Sequence, residues 1–193
     1  YREMDSYASD LYVLSASPKI FRHNIFNLLK KHDFNPVKVY TRKGLENKFW
    51  YKYNVVKDVL SKDYEKIILV GDDLEEDPAI YDKIKNDFPD KVLAIYIHRV
   101  TGHKLPTSAT PYFTAYDLAL RENIAGRLSL SETWSVGEAI LTESDYGRLF
   151  PHYAVCPVKA TGMLSGKVAA MEELTSRIGE KIMNYCRRGS KID

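Results

Sequence analysis

No apolar stretch of 18 or more residues occurs in the sequence, so it offers no membrane-spanning helix. No signal peptide opens it either, since Tyr1-Arg2-Glu3-Met4-Asp5 has no apolar core. Cysteine is scarce. Cys156 and Cys186 stand far apart and match no zinc or redox spacing, which fits a reducing compartment, and a cytoplasmic location is expected. Net charge is also small: 28 Lys and Arg against 26 Asp and Glu leave +2, and the basic residues are dispersed among acids. Nucleic-acid binding therefore has no compositional support. Repeats and low-complexity tracts are absent, and the chain does not begin with methionine, so an upstream segment is expected.

What is present is an alternation. At 193 residues the chain can form one domain with a substantial core, or a domain with a small appendage. Leu11 to Leu14 is apolar, and Pro18 opens a segment with Ile20, Phe21, Ile25, Phe26, Leu28 and Leu29 at helical spacing. Val37 to Tyr40 reads as a second strand. After the loop Thr41-Arg42-Lys43-Gly44, residues 47 to 61 place Tyr51, Val55, Val56, Val59 and Leu60 on one helical face. A strand Ile67 to Val70, a helix Pro78 to Asp87 and a strand Val92 to Ile97 follow. This order predicts βαβ units and a doubly wound parallel sheet in residues 1–105. Residues 106–193 read as a helical extension packed on that core, with helices near 114–125, 132–141 and 167–187 and with Gly126 and Gly147 as helix stops.

The run Ile67-Ile68-Leu69-Val70-Gly71-Asp72-Asp73-Leu74-Glu75-Glu76-Asp77-Pro78 carries the most chemistry. A continuous apolar run reads as a buried parallel strand, and open α/β sheets bind ligands beyond the carboxyl ends of such strands. Carboxylates gathered there repel one another unless a cation stabilises them, which points to an oxygen-preferring ion such as Mg²⁺. Two further features precede it in chain order. Ser15 ends a strand just before a helix, where its hydroxyl can donate to a phosphate. Lys52 lies near the start of the next helix but one, where an ammonium can neutralise a phosphoryl group.

In order and spacing, Tyr12-Val13-Leu14-Ser15-Ala16-Ser17-Pro18, the segment from Lys52 to Leu60, Ile67 to Asp73 with Asp77 to Tyr81, and Phe88 to Ile97 resemble the haloacid dehalogenase-like phosphohydrolases. They are similar, more closely, to the catalytic domain of the actin-patch-type phosphatidate phosphatases, over about residues 8 to 100. The resemblance implies a Mg²⁺-dependent phosphomonoester phosphatase with a haloacid dehalogenase-like α/β fold. By position, Ser15 would bind the phosphoryl group, Lys52 would stabilise charge, and Asp72 would be the main Mg²⁺ ligand, supported by Asp77. Asp73 stands where a small polar residue is frequent. Phosphatidate is the implied substrate, with phosphotyrosine or a small phosphate open. Peripheral membrane contact fits the lipid substrate.

One part of the family pattern is missing: the nucleophile motif Asp-x-Asp-x-Thr, since the chain contains no Asp-x-Asp. The nucleophile strand is expected upstream. The competing reading is a phosphatase-like module that binds a phosphorylated lipid or protein without turnover. Single residues also have plainer roles. Ser15 can cap the next helix, Asp77 before Pro78 can be an N-cap, and Lys43 and Lys48 compete with Lys52. Phe49, Trp50, Tyr51 and Tyr53 are more often core than a lipid wall, and His98-Arg99 more often surface than site. Cys156 has Gly162, not arginine, six positions on, and Gly162 to Lys167 is one residue short of a phosphate loop, so both are set aside.

Overall fold

Extended, β-branched and aromatic residues build the first sheet. β1 (Tyr12–Pro18) and β2 (Lys38–Arg42) run parallel, pairing Tyr12 with Lys38, Leu14 with Tyr40 and Ser15 with Thr41. The computed structural model describes residues 10–31, 34, 36, 38–62, 66–149, 155–157 and 169–189. Its second sheet follows the order β3 (Ile67–Asp72), β4 (Val92–His98), β5 (Thr110–Tyr112). The Ile67 amide donates to the Lys91 carbonyl, so β3 and β4 start side by side and run in the same direction. The chain divides into two units, one of Tyr1–Ile97 with Leu105–Thr110 and one of His98–Lys104 with Pro111–Asp193.

In the first unit, α1 (Arg22–Lys31) follows a 3₁₀ turn at Lys19–Phe21, α2 (Lys48–Leu60) follows β2, and α3 (Asp77–Asp87) follows β3. Asn47 caps α2 by accepting the Trp50 amide at 3.1 Å, and Pro78 with its fixed φ sits in the first turn of α3. Val56 and Leu60 of α2 and Ile80, Tyr81 and Ile84 of α3 pack with Leu69 of β3 and Val92, Ile95 and Ile97 of β4. Leu14 of β1 lies against this core.

Two expectations are corrected here. The strands ending at Leu14 and Val70 belong to separate sheets, not one, because β1 hydrogen-bonds to β2 and β3 to β4. The run Ile67 to Val70 is not a fully buried strand: Leu69 is buried and Ile67, Ile68 and Val70 are half-buried, as befits the edge of a sheet. The helix after Pro18 forms, yet it buries no residue, since Ile25 and Leu29 are half-buried and Phe26 and Leu28 face solvent.

The second unit is helical. α4 (Ala115–Ile124), α5 (Leu130–Thr142), α6 (Tyr146–Leu149) and α7 (Glu172–Gly189), the last preceded by a 3₁₀ turn at Ala169–Met171, surround Tyr116, Leu120, Ile140, Leu174, Ile178 and Ile182. α4 and α5 both open on capping boxes, Thr114 with Asp117 and Ser129 with Glu132. Gly126, at φ 72°, follows the end of α4 as expected. Gly147 does not stop a helix; it lies within α6, its amide bonded to Asp145 Oδ1 at 2.9 Å. Lys181 closes the end of α5 by donating to the Ile140, Leu141 and Glu143 carbonyls. Cys156 and Cys186, read from their spacing as fitting a reducing compartment, form a disulfide with Cα atoms 5.9 Å apart. The segment Gly162 to Lys167 lies outside the described residues, as do Val37 and residues 1–9.

Candidate active site

α2 buries a lysine because its inner stripe runs Lys52, Val56, Leu60, one residue each turn, instead of centring on Tyr51 and Val55. This sets Lys52 above the apolar stripe at the end of α2 that begins where β2 stops. The first turn of α3 meets it there. Lys52 Nζ is hydrogen-bonded to Asp77 Oδ1, with both side chains about nine-tenths buried. A second pair, Lys48 to Glu75 at 2.5 Å, joins the start of α2 to the segment just before α3 in solvent. The carboxyl ends of β1, β2 and β3 therefore converge on one side of the unit.

Burial pushes the Asp77 carboxyl up and the Asp72 carboxylate adds to this, while the Lys52 ammonium and the Asp72 amide pull it down; burial prevails. Lys48 holds Glu75 below the usual carboxylate range. Burial, with Glu46 and then Tyr40 adding, pushes the Tyr51 phenol up to about 12, so it stays neutral. Asp72 sits at the last position of β3, half-buried, one carboxylate oxygen accepting the Leu74 amide at 2.9 Å. Gly71, noted in the sequence as the end of the apolar run, was given no role in the site. A methyl group in its place would stand 2.7 Å from Asp77 Oδ2 and 2.9 Å from Tyr81 Cε2, so only glycine lets β3 come this close to the buried carboxylate. A glycine at a strand end just before an acid cluster was the available signal.

The structure thus gathers Lys52, Asp77 and Asp72. Ser15 lies in the neighbouring sheet, at the irregularity of β1 between Ser15 and Pro18, where its hydroxyl oxygen accepts the Ser17 amide at 3.1 Å. It caps no helix, because Pro18 occupies that position before the 3₁₀ turn. Asp77 is not an N-cap either: it begins α3, Glu76 precedes it, and its carboxylate goes to Lys52. Of the competing lysines, Lys48 is exposed and bound to Glu75, so burial singles out Lys52. Tyr53 is buried and Phe49 packs against the core, whereas Trp50 is half in solvent, edge-on to both. His98 binds the Phe113 carbonyl at 3.2 Å and stacks on Tyr112 within the second unit.

Among the described residues no three His, Cys, Asp or Glu side chains converge on a point that could hold a metal ion. The neighbouring carboxylates of Asp72 and Asp77 are nonetheless oxygen donors of the kind Mg²⁺ takes, one or two at a time, alongside a substrate phosphate. No helix of the described residues is long and apolar enough to cross a membrane. Comparison with curated proteins and with solved structures returned no match. The family model of the phosphatidate phosphatase APP1 catalytic domain matches residues 1–99, the stretch that holds Ser15, Lys52, Asp72 and Asp77, and the chain belongs to that family of phosphatases.

Proposed function

We propose that the protein is a Mg²⁺-dependent phosphomonoester phosphatase that acts on phosphatidate through an aspartate nucleophile supplied by sequence preceding Tyr1. The observation that carries this reading is the buried Lys52–Asp77 pair beside Asp72, inside the segment that the family model covers. Asp72, with Asp77 next to it, would hold Mg²⁺, which when bound screens the negative charge of the phosphoryl group. Lys52 is held by Asp77 so that its ammonium stands at the carboxyl ends of the strands, where it offsets charge that grows on the phosphoryl oxygens. Ser15 closes the site from β1 as a hydroxyl donor to phosphate. In fold terms, β1 and β3 are the facing edges of one haloacid dehalogenase-like, doubly wound sheet, completed by the nucleophile strand between them. This part of the reading rests on the family match and on the half-burial of β1 and β3; the described residues themselves form two sheets.

The test is phosphate release from phosphatidate and from a phosphotyrosine peptide, measured with the preceding sequence in place, with and without chelator. Release from phosphatidate should stop on chelation and fall at least about a hundredfold in Asp72→Asn, with weaker metal binding. Chelator-resistant release, or release that Asp72→Asn leaves unchanged, overturns the assignment. Binding of phosphatidate without release supports the non-catalytic module instead, the reading favoured by the absence of Asp-x-Asp in the chain.

A further inference from the structure

Besides Phe26 and Leu28 of α1 and Leu93 of β4, the first unit leaves a group of large apolar side chains in water at one end. Ile20 (83% exposed) and Phe21 follow β1, Leu45 (100% exposed) follows β2, Trp50 is in the first turn of α2, and Leu74 (62% exposed) follows β3. The parallel pairing of β1 with β2, and the Lys48–Glu75 and Lys52–Asp77 pairs between α2 and α3, put these loops on the side of the unit where Lys52, Asp77 and Asp72 meet. Positive charge is interleaved with them. Lys19 and Arg22 flank Ile20 and Phe21, and from Leu11 to Lys31 the sequence has no acid at all. Arg42 and Lys43 precede Leu45; the Arg42 guanidinium donates to the Ala16 and Glu46 carbonyls. Of the acids on this rim, Glu75 is bound by Lys48 and Glu46 accepts the Lys43 amide at 3.2 Å, while Asp72, Asp73 and Glu76 flank Leu74, so the positive charge belongs to the loops of Ile20 and Leu45.

A fixed protein partner would need a shaped groove or a continuous face. Apolar side chains projecting from separate loops, with lysines and arginines set beside Ile20 and Leu45, instead match a fluid surface with an apolar interior and anionic headgroups. We propose that this rim docks the unit on an anionic lipid bilayer, with Ile20 and Leu45 inserted below the headgroups and Lys19, Arg22, Arg42 and Lys43 against lipid phosphates. The crevice of Lys52 and Asp72 then opens onto the membrane. The inference rests on the phosphatidate reading only for what the crevice meets there; docking itself needs no turnover.

The test is co-sedimentation of the 193-residue chain with phosphatidylcholine vesicles, with and without phosphatidylserine, lipids that carry no phosphomonoester. The chain should bind the anionic vesicles, bind them less as salt rises, and lose at least about tenfold in affinity in the double variant Ile20→Asp/Leu45→Asp. Both side chains are exposed, so the variant should keep the circular dichroism of the parent. Absence of vesicle binding, or equal binding by the variant, overturns the proposal. So does an effect of the variant confined to self-association, which would assign the rim to a second copy. With the preceding sequence in place, vesicle binding without phosphate release from phosphatidate counts against the phosphatase reading alone. Release from dispersed short-chain phosphatidate without vesicle binding counts against the docking alone.

Discussion

Gly71 shows what one missing side chain does for the site. Asp77 on one side of it is held by Lys52, and Tyr81 on the other donates to the Val70 carbonyl at 3.3 Å and is part of the core, so neither neighbour can move aside cheaply. Gly71→Ala should cost about 1–3 kcal/mol, read as a lower urea midpoint, and should reduce phosphate release by dislodging Asp77. Gly102→Ala, where an added methyl meets nothing within 4 Å, is the neutral comparison. Asp72 could be picked from the sequence because it ends an apolar strand. The choice of Lys52 over Lys43 and Lys48 rested there on the family resemblance, and its partner could not be read at all, since Lys52 and Asp77 are 25 residues apart and meet only when α2 packs beside α3.

At the scale of elements, α2 and α3 are tied a second time, at the far end of α3. The Tyr53 hydroxyl donates to Asp87 Oδ2 at 2.6 Å, and Lys83 reaches the same oxygen at 2.9 Å. The Tyr53 hydroxyl, then Lys83, hold the Asp87 carboxyl below its usual range, and Asp87 in turn pushes the Tyr53 phenol up. A lowered carboxyl contributes stability above its unfolded pKa and loses it as pH falls; a raised phenol contributes below its unfolded pKa and loses it as pH rises. Tyr53→Phe should therefore melt at a lower temperature, with the deficit greatest between about pH 5 and pH 9 and shrinking on both sides. A deficit that does not vary with pH, in melts across that range, rules out the tie. α1 teaches the opposite lesson. Its helical spacing was legible, but Phe26 and Leu28 stay in solvent, because periodicity reports a face and not what covers it.

At the scale of the whole molecule, the disulfide closes a span of 30 residues between Cys156 and Cys186 and packs into the core of the second unit beside the stacked rings of Tyr146 and Tyr185. A disulfide persists where thiols are kept oxidised, so this bond disagrees with the reducing compartment read from the cysteine spacing. Reduction should cost the second unit about 3–4 kcal/mol by freeing its unfolded chain. In a Trp50→Phe background, where Trp134 is the remaining tryptophan, its fluorescence should report an earlier urea transition with reductant than without. Coincident transitions would show that the bond contributes nothing. By itself the sequence determined the alternation of strands and helices up to Ile97, the helical character beyond, the family, and the acid at the end of β3, because each is written in local periodicity or in contiguous residues. Only the tertiary structure decided that β1 and β3 lie in separate sheets, that Lys52 is buried on Asp77 and that the two cysteines join, because each depends on which distant segments pack together, and local spacing carries no term for that.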